Sequence, residues 1–152
     1  MTSYRIEKIR CPVTVMFASG ETIAGDVFLS PTSRFGPEPQ APWEFLNEID
    51  PYFALDPADG RTLLAAKDHV LWAEVSKPSP VHAEAGEHPA AIEVTLVSGT
   101  TVSGEVLLGP RTGHARLLDY LNSNRERFLR LVQPDRVILV HRSAVVHVHE
   151  LT

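Results

Sequence analysis

Cysteine is nearly absent from this chain: Cys11 stands alone among 152 residues. A single thiol excludes an intrachain disulfide and a multi-cysteine zinc site, and leaves Cys11 as a small apolar side chain for packing in a reducing compartment. An excess of cations is lacking too. Lys and Arg number 14 against 19 Asp and Glu, a formal net charge of −5, so the average surface repels a polyphosphate backbone and RNA affinity would need a local basic patch. No apolar run approaches the ~20 residues of a membrane-spanning helix, so no membrane partner is expected. The opening "MTSYRIEKIRCP" mixes charge with apolar residues and lacks the continuous apolar core of a signal peptide, which makes the cytoplasm the expected location.

Catalytic signatures are missing as well. Neither a G-x-S-x-G elbow nor a phosphate-cradling loop occurs, and the spaced glycines are not followed by a helix as a dinucleotide fingerprint requires. The expectation is a protein that is not an enzyme and needs no cofactor.

What the chain does have is repetition. Shifting it by 79 positions lays "PVTVMFASGETIAGDVFLSP" on "AIEVTLVSGTTVSGEVLLGP". The identities are Val15/Val94, Ser19/Ser98, Gly20/Gly99, Thr22/Thr101, Gly25/Gly104, Val27/Val106, Leu29/Leu108 and Pro31/Pro110. Further on, a shift of 75 lays "FLNEIDPYF" on "YLNSNRERF" and "LLAAKDHVLWAEV" on "ILVHRSAVVHVHE". Between the halves, "SKPSPVHAEAGEHPA" has the Pro, Ala and charge of an exposed linker.

Each half reads as β. Ile92, Val94 and Leu96 alternate with Glu93 and Thr95, the period of two that marks a strand with one buried face. Ser-Gly then supplies a hairpin turn at Gly20 and at Gly99. Gly25 and Gly104 fall on the apolar face of the returning strand, where a residue without a side chain marks a sharp bend or a close backbone approach. "PWEFLNEIDPYFAL" and "ARLLDYLNSNRERFLRL" carry the only helical spacing, enough for about one turn of helix or a short strand. The ends of the two halves read as strand pairs around tight turns at Lys67 and Asp68, and at Arg142 and Ser143.

In this order of elements the chain resembles the Sm-like fold. The residues that carry the resemblance are V-x-L-x-x-G, the glycine-bent strand, the D-x-x-L/M-N segment ending at Asn122, and "VHRSAVVHV". The resemblance implies a mainly β protein of two tandem small Sm-like or SH3-like five-stranded barrels related by internal duplication. The first repeat with its N-terminal extension would occupy 1–75, the linker 76–90 and the second repeat 91–152. Carried over by position, Asn47 and Asn122 would contact bases, with Lys67 and Arg142 in the second-motif place. Asp119 lies one residue closer to Asn122 than the family's pattern has it, Glu44 replaces it in the first half, and Asp68 and Ser143 stand where that pattern places Gly. The segment Arg116 to Asn122 also resembles the R-L-x-D-Y-L-N of a bacterial family with no assigned activity, so no function follows from it.

Three function classes emerge. The leading one is a non-catalytic interaction or regulatory module that binds a protein partner or self-associates, including as a homo-oligomer, through loops and open strand edges. The alternative is an Sm-like RNA binder using Asn47, Lys67, Asn122 and Arg142 with the basic run Arg125, Arg127 and Arg130. The third is a metal site on His141, His147 and His149, which the alternation of "HVHE" and the preceding turn would bring together. Gly20, Gly25, Gly99, Gly104 and Asp119 are expected to be structural.

Overall fold

The first hairpin shows how these residues build the fold. The computed structural model describes residues 8–76, 87–109 and 116–151. Strand β1 (Ile9–Phe17) turns through Ala18 to Glu21 into β2 (Thr22–Leu29), with Val13 and Val15 buried from one and Val27 and Leu29 from the other. Gly20 takes φ +94° at that turn, a left-handed conformation that costs an L-residue ~1–2 kcal/mol and glycine almost nothing. A short helix α1 (Pro42–Leu46) follows, started by a proline that needs no helical donor and by Glu44, whose carboxylate accepts from the Ala41 N–H at 3.2 Å. Strands β3 (Tyr52–Pro57) and β4 (Leu63–Ala66), a 3₁₀ turn at Lys67–His69 and β5 (Val70–Ser76) complete the first half.

The second half runs through the same elements: β6 (His88–Leu96), β7 (Thr101–Leu108), α2 (Arg116–Ser123), β8 (Phe128–Val132), β9 (Arg136–His141), a 3₁₀ turn at Arg142–Ala144 and β10 (Val145–Leu151). Gly99 repeats the left-handed turn at φ +87°. Pro89 and Ala90, expected in the linker, belong to β6 with His88. Residues 77–86 of that linker lie outside the described residues.

The protein is mainly β, and the ten strands among the described residues form one antiparallel sheet in the order β10-β6-β7-β8-β9-β5-β1-β2-β3-β4. This sheet is not closed into a barrel, and the halves are continuous through β5 and β9, where Trp72 lies opposite Val140, Ala73 opposite Leu139 and Val75 opposite Val137. The expectation of two tandem five-stranded barrels gives way here to one continuous open sheet. Pairing satisfies the backbone donors and acceptors that each half would otherwise leave bare on one edge strand.

Two apolar cores result. Val13, Val15, Val27, Leu29, Leu46, Leu55 and Val75 fill the first, and Ile92, Val94, Leu96, Val106, Leu108 and Leu131 fill the second. Across the joint they exchange side chains. Phe128 and Leu139 of the second half pack in the first core, while Leu71 of the first half packs in the second.

Register corrects one detail of the repeat. Asp26 pairs with Asp56, and its counterpart Glu105 pairs with Val132, so β3 corresponds to β8 at a shift of 76 rather than 75. Tyr52, not Phe53, is the counterpart of Phe128. The stretch from Asn122 to Phe128 is one residue longer than that from Asn47 to Tyr52, which helical and alternating patterns cannot register.

Candidate functional site

The residues expected to contact a ligand gather at the joint, where most of them bind the protein itself. Asn47 follows α1, and its side chain faces β8. Its Oδ1 accepts from the Phe128 N–H at 2.8 Å, while its Nδ2 donates to the Phe128 carbonyl at 3.3 Å and to Glu126 Oε2 at 3.4 Å. An amide can match a backbone residue in this way because it carries one acceptor and two donors on a planar group. The Arg142 N–H donates to the Arg127 carbonyl on the opposite side of β8, so the Phe128 backbone groups point away from β9 and Asn47 takes the place of a neighbouring strand.

Lys67 and Arg142 do equivalent work in their halves. The buried Lys67 donates from Nζ to the Glu48 carbonyl at 2.8 Å and from its backbone N–H to the Pro51 carbonyl at 2.9 Å. Arg142 donates from its guanidinium to the Leu121 carbonyl and from its N–H to the Arg127 carbonyl. Each therefore ties the loop after the helix to the 3₁₀ turn. Burial pushes the Lys67 ammonium below its ordinary pKa, and the neighbouring Arg127 adds to that.

The basic run is divided. Arg127 reaches the Asp50 carbonyl at 3.4 Å, and the Arg130 guanidinium lies 4.1 Å from the ring centre of Trp43, a cation–π contact between the halves. Arg125 and Asn122 are exposed. Arg125 and Arg127 line an open cleft of about 790 Å³ with Asn47, Tyr120 and Asn124.

His141 sits at one end of the joint, next to Val140, with only 4% of its surface exposed, edge-on to Phe128 at a ring separation of 5.0 Å. Its Nδ1 accepts from the Ser143 N–H at 3.0 Å, which assigns the neutral-ring proton to Nε2. Nε2 lies 3.5 Å from Asp68 Oδ1, too far to satisfy the buried donor, and has no hydrogen-bond partner. Burial therefore lowers the His141 pKa below its ordinary 6.5, against a smaller opposing pull from Asp68. His147 and His149 are exposed neighbours on β10, 5.3 Å apart between ring centres, whereas His141 is buried on β9. Among the described residues no group of three or more His, Cys, Asp or Glu side chains could hold a metal ion.

Strands β4 and β10 end the sheet, and no described residue pairs with their outer edges. Exposed large apolar side chains are found near both. Tyr52 is 62% and Leu64 74% exposed at one end, and Val146 is 57% and Leu151 44% exposed at the other. Expectation centred on the Asn and Arg positions and did not mark these edge residues. Their signal was present in the repeat, because Leu64 and Val146 occupy the positions of Leu139 and Leu71.

No protein-family model, curated protein or solved structure matches the chain.

Proposed function

We propose that the protein is a non-catalytic interaction module, built from two Sm-like units in tandem, which binds through the free edge strands β4 and β10. The observation that supports this reading is the pair of unpaired edges carrying exposed Leu64 and Val146. Bare strand edges are templates for pairing, and proteins that do not use them protect them with charge, proline or a bulge. Leu63–Ala66 contains neither charge nor proline, whereas β10 carries Glu150 and a register shift between Val145 and His147, so β4 is the less protected of the two edges. The Sm-like assignment draws its support from the element order, and from each core taking side chains from all its own half's strands. Polar groups at the joint are largely committed to backbone partners, which favours a binding role over a chemical one.

The test is capture from the source cell extract by the parent protein and by Leu64→Lys and Val146→Lys. A partner retained by the parent and lost with either edge variant is the expected result. A partner retained equally by both variants would overturn the reading. An RNA role would rest on Asn122 and Arg125, the two exposed candidates. Single-stranded RNA retained on a filter at low salt and released by Asn122→Ala and Arg125→Ala would favour that reading instead.

A further inference from the structure

We propose that the loop between β2 and α1 forms, with Trp43 and Arg130, a shelf that docks a short acidic peptide segment of a partner protein. The segment sets an apolar side chain on Phe35 and carboxylates on Arg34 and Arg130. The shelf does not depend on the edge-strand reading, since none of its residues lies on β4 or β10.

The loop is where the repeat breaks. The four extra residues that turn a shift of 79 into one of 75 fall between Pro31 and Phe45, and they are held in place. Ser33 and Gly36 close a tight turn, with the Gly36 N–H donating to the Ser33 carbonyl at 3.4 Å and Arg34 and Phe35 at the tip. Beneath the tip, the Ser33 hydroxyl donates to the buried Glu44 carboxylate, 2.9 and 2.8 Å from its two oxygens, and accepts from the Phe35 N–H at 3.0 Å. Gln40 ties the loop's ends, its Oε1 accepting from the Ser30 N–H and its own N–H donating to the Ser30 carbonyl, both at 3.0 Å. Phe35 is thus 71% exposed on a fixed turn, and a ligand that covers it need not first order the loop.

The rings and cations form a continuous surface. Phe35 stacks on Trp43 with ring centres 6.0 Å apart and planes 22° from parallel. The Arg34 guanidinium lies 5.6 Å from the centre of the Phe35 ring, and that of Arg130 lies 4.1 Å from the centre of Trp43. Neither guanidinium has a hydrogen bond or ion pair to a described residue, and the Glu44 carboxylate of the same region is taken up by Ser33 and Ala41. A guanidinium over a ring keeps its N–H edge, a fork that fits a carboxylate in two parallel bonds.

These features select the occupant. At the stated separations, about five residues of extended peptide reach from one guanidinium to the other at most, so a short segment meets both. A nucleic-acid strand needs a basic track and successive open rings. Here Phe35 is exposed while Trp43 is half-buried, and the chain as a whole carries a net charge of −5. The shelf also occurs once, because the counterparts of Trp43 and Arg130 in the repeat are Leu118 and Ala54. Trp43 belongs to the first half and Arg130 to the second, so the shelf is complete only where the two halves meet.

Titration of the isotope-labelled full chain, followed by NMR, with the end-blocked peptide Glu-Glu-Phe-Glu-Glu tests this. The chain has two tryptophans. The indole N–H signal of Trp43 and the amide signal of Phe35 should shift and saturate below about 1 mM peptide, while the indole signal of Trp72 stays in place. The glutamine counterpart, Gln-Gln-Phe-Gln-Gln, should bind about tenfold more weakly, as should the acidic peptide to Arg34→Gln, Arg130→Gln and Phe35→Ala. Arg34 and Phe35 stand at an exposed turn tip, and an unchanged melting temperature of those two variants establishes their fold. Absence of any shift, equal affinity for the two peptides, or unchanged affinity in both Arg34→Gln and Phe35→Ala overturns the proposal. So does a short oligouridylate that moves the Trp43 signal where the acidic peptide does not, which would assign the shelf to nucleic acid.

Discussion

Asn47 and Asn122 occupy matching places in the sequence and different ones in the energetics of a single molecule. Asn47 satisfies both backbone groups of Phe128, and removing it leaves a half-buried donor and acceptor unpaired. Asn47→Ala should lower the unfolding free energy by about 1–3 kcal/mol, and Asn122→Ala in dilute protein by less than about 0.5 kcal/mol. Urea titration of the two variants measures both. His141 provides a second contrast. The folded chain resists protonating this buried ring, while the unfolded chain takes up a proton near the ordinary 6.5. The contribution is complete above that pH and is lost as pH falls below it toward the depressed folded value, at up to about 1.4 kcal/mol per pH unit. Stability measured at pH 7 and pH 5 should fall more steeply for the parent than for His141→Gln. Equal slopes would show that His141 is not the group being titrated.

The two kinds of glycine separate at the scale of the strand. Gly99 holds a left-handed turn with open space around it, so Gly99→Ala meets backbone strain alone, about 1–2 kcal/mol. Gly104 packs against the next strand, and a Cβ there would stand 2.8 Å from Leu131 Cβ and 3.1 Å from the Leu131 carbonyl carbon. At Gly25 a Cβ would stand 2.9 Å from the Asp56 carbonyl oxygen. Gly104→Val and Gly25→Val should therefore lower the melting temperature more than Gly99→Ala, because the neighbouring strand would have to move. This much was legible in the sequence: hairpins, turn glycines, a close approach at the strand glycines and the doubled element order all leave local patterns. Longer-range features were not. The β5–β9 joint arises from complementary edges far apart in the chain, and alternation within Val70–Ser76 does not name its neighbour. Candidate site residues were found by position and not by partner, since nothing local shows that Asn47 reaches Phe128 or that Arg130 lies over Trp43.

As a whole, the molecule is a sheet of ten strands whose centre repeats what its ends leave open. The helices close the cores, the 3₁₀ turns anchor the loops, and the strand edges remain for association. Amide hydrogen exchange of the free protein and of the protein saturated with the partner that it captures tests the central claim most directly, because it reads backbone pairing at each edge separately. The expected result is added protection in residues 63–66 or 145–151 in the complex, with the β5 and β9 amides protected in both states. Added protection at neither edge would contradict binding through β4 and β10.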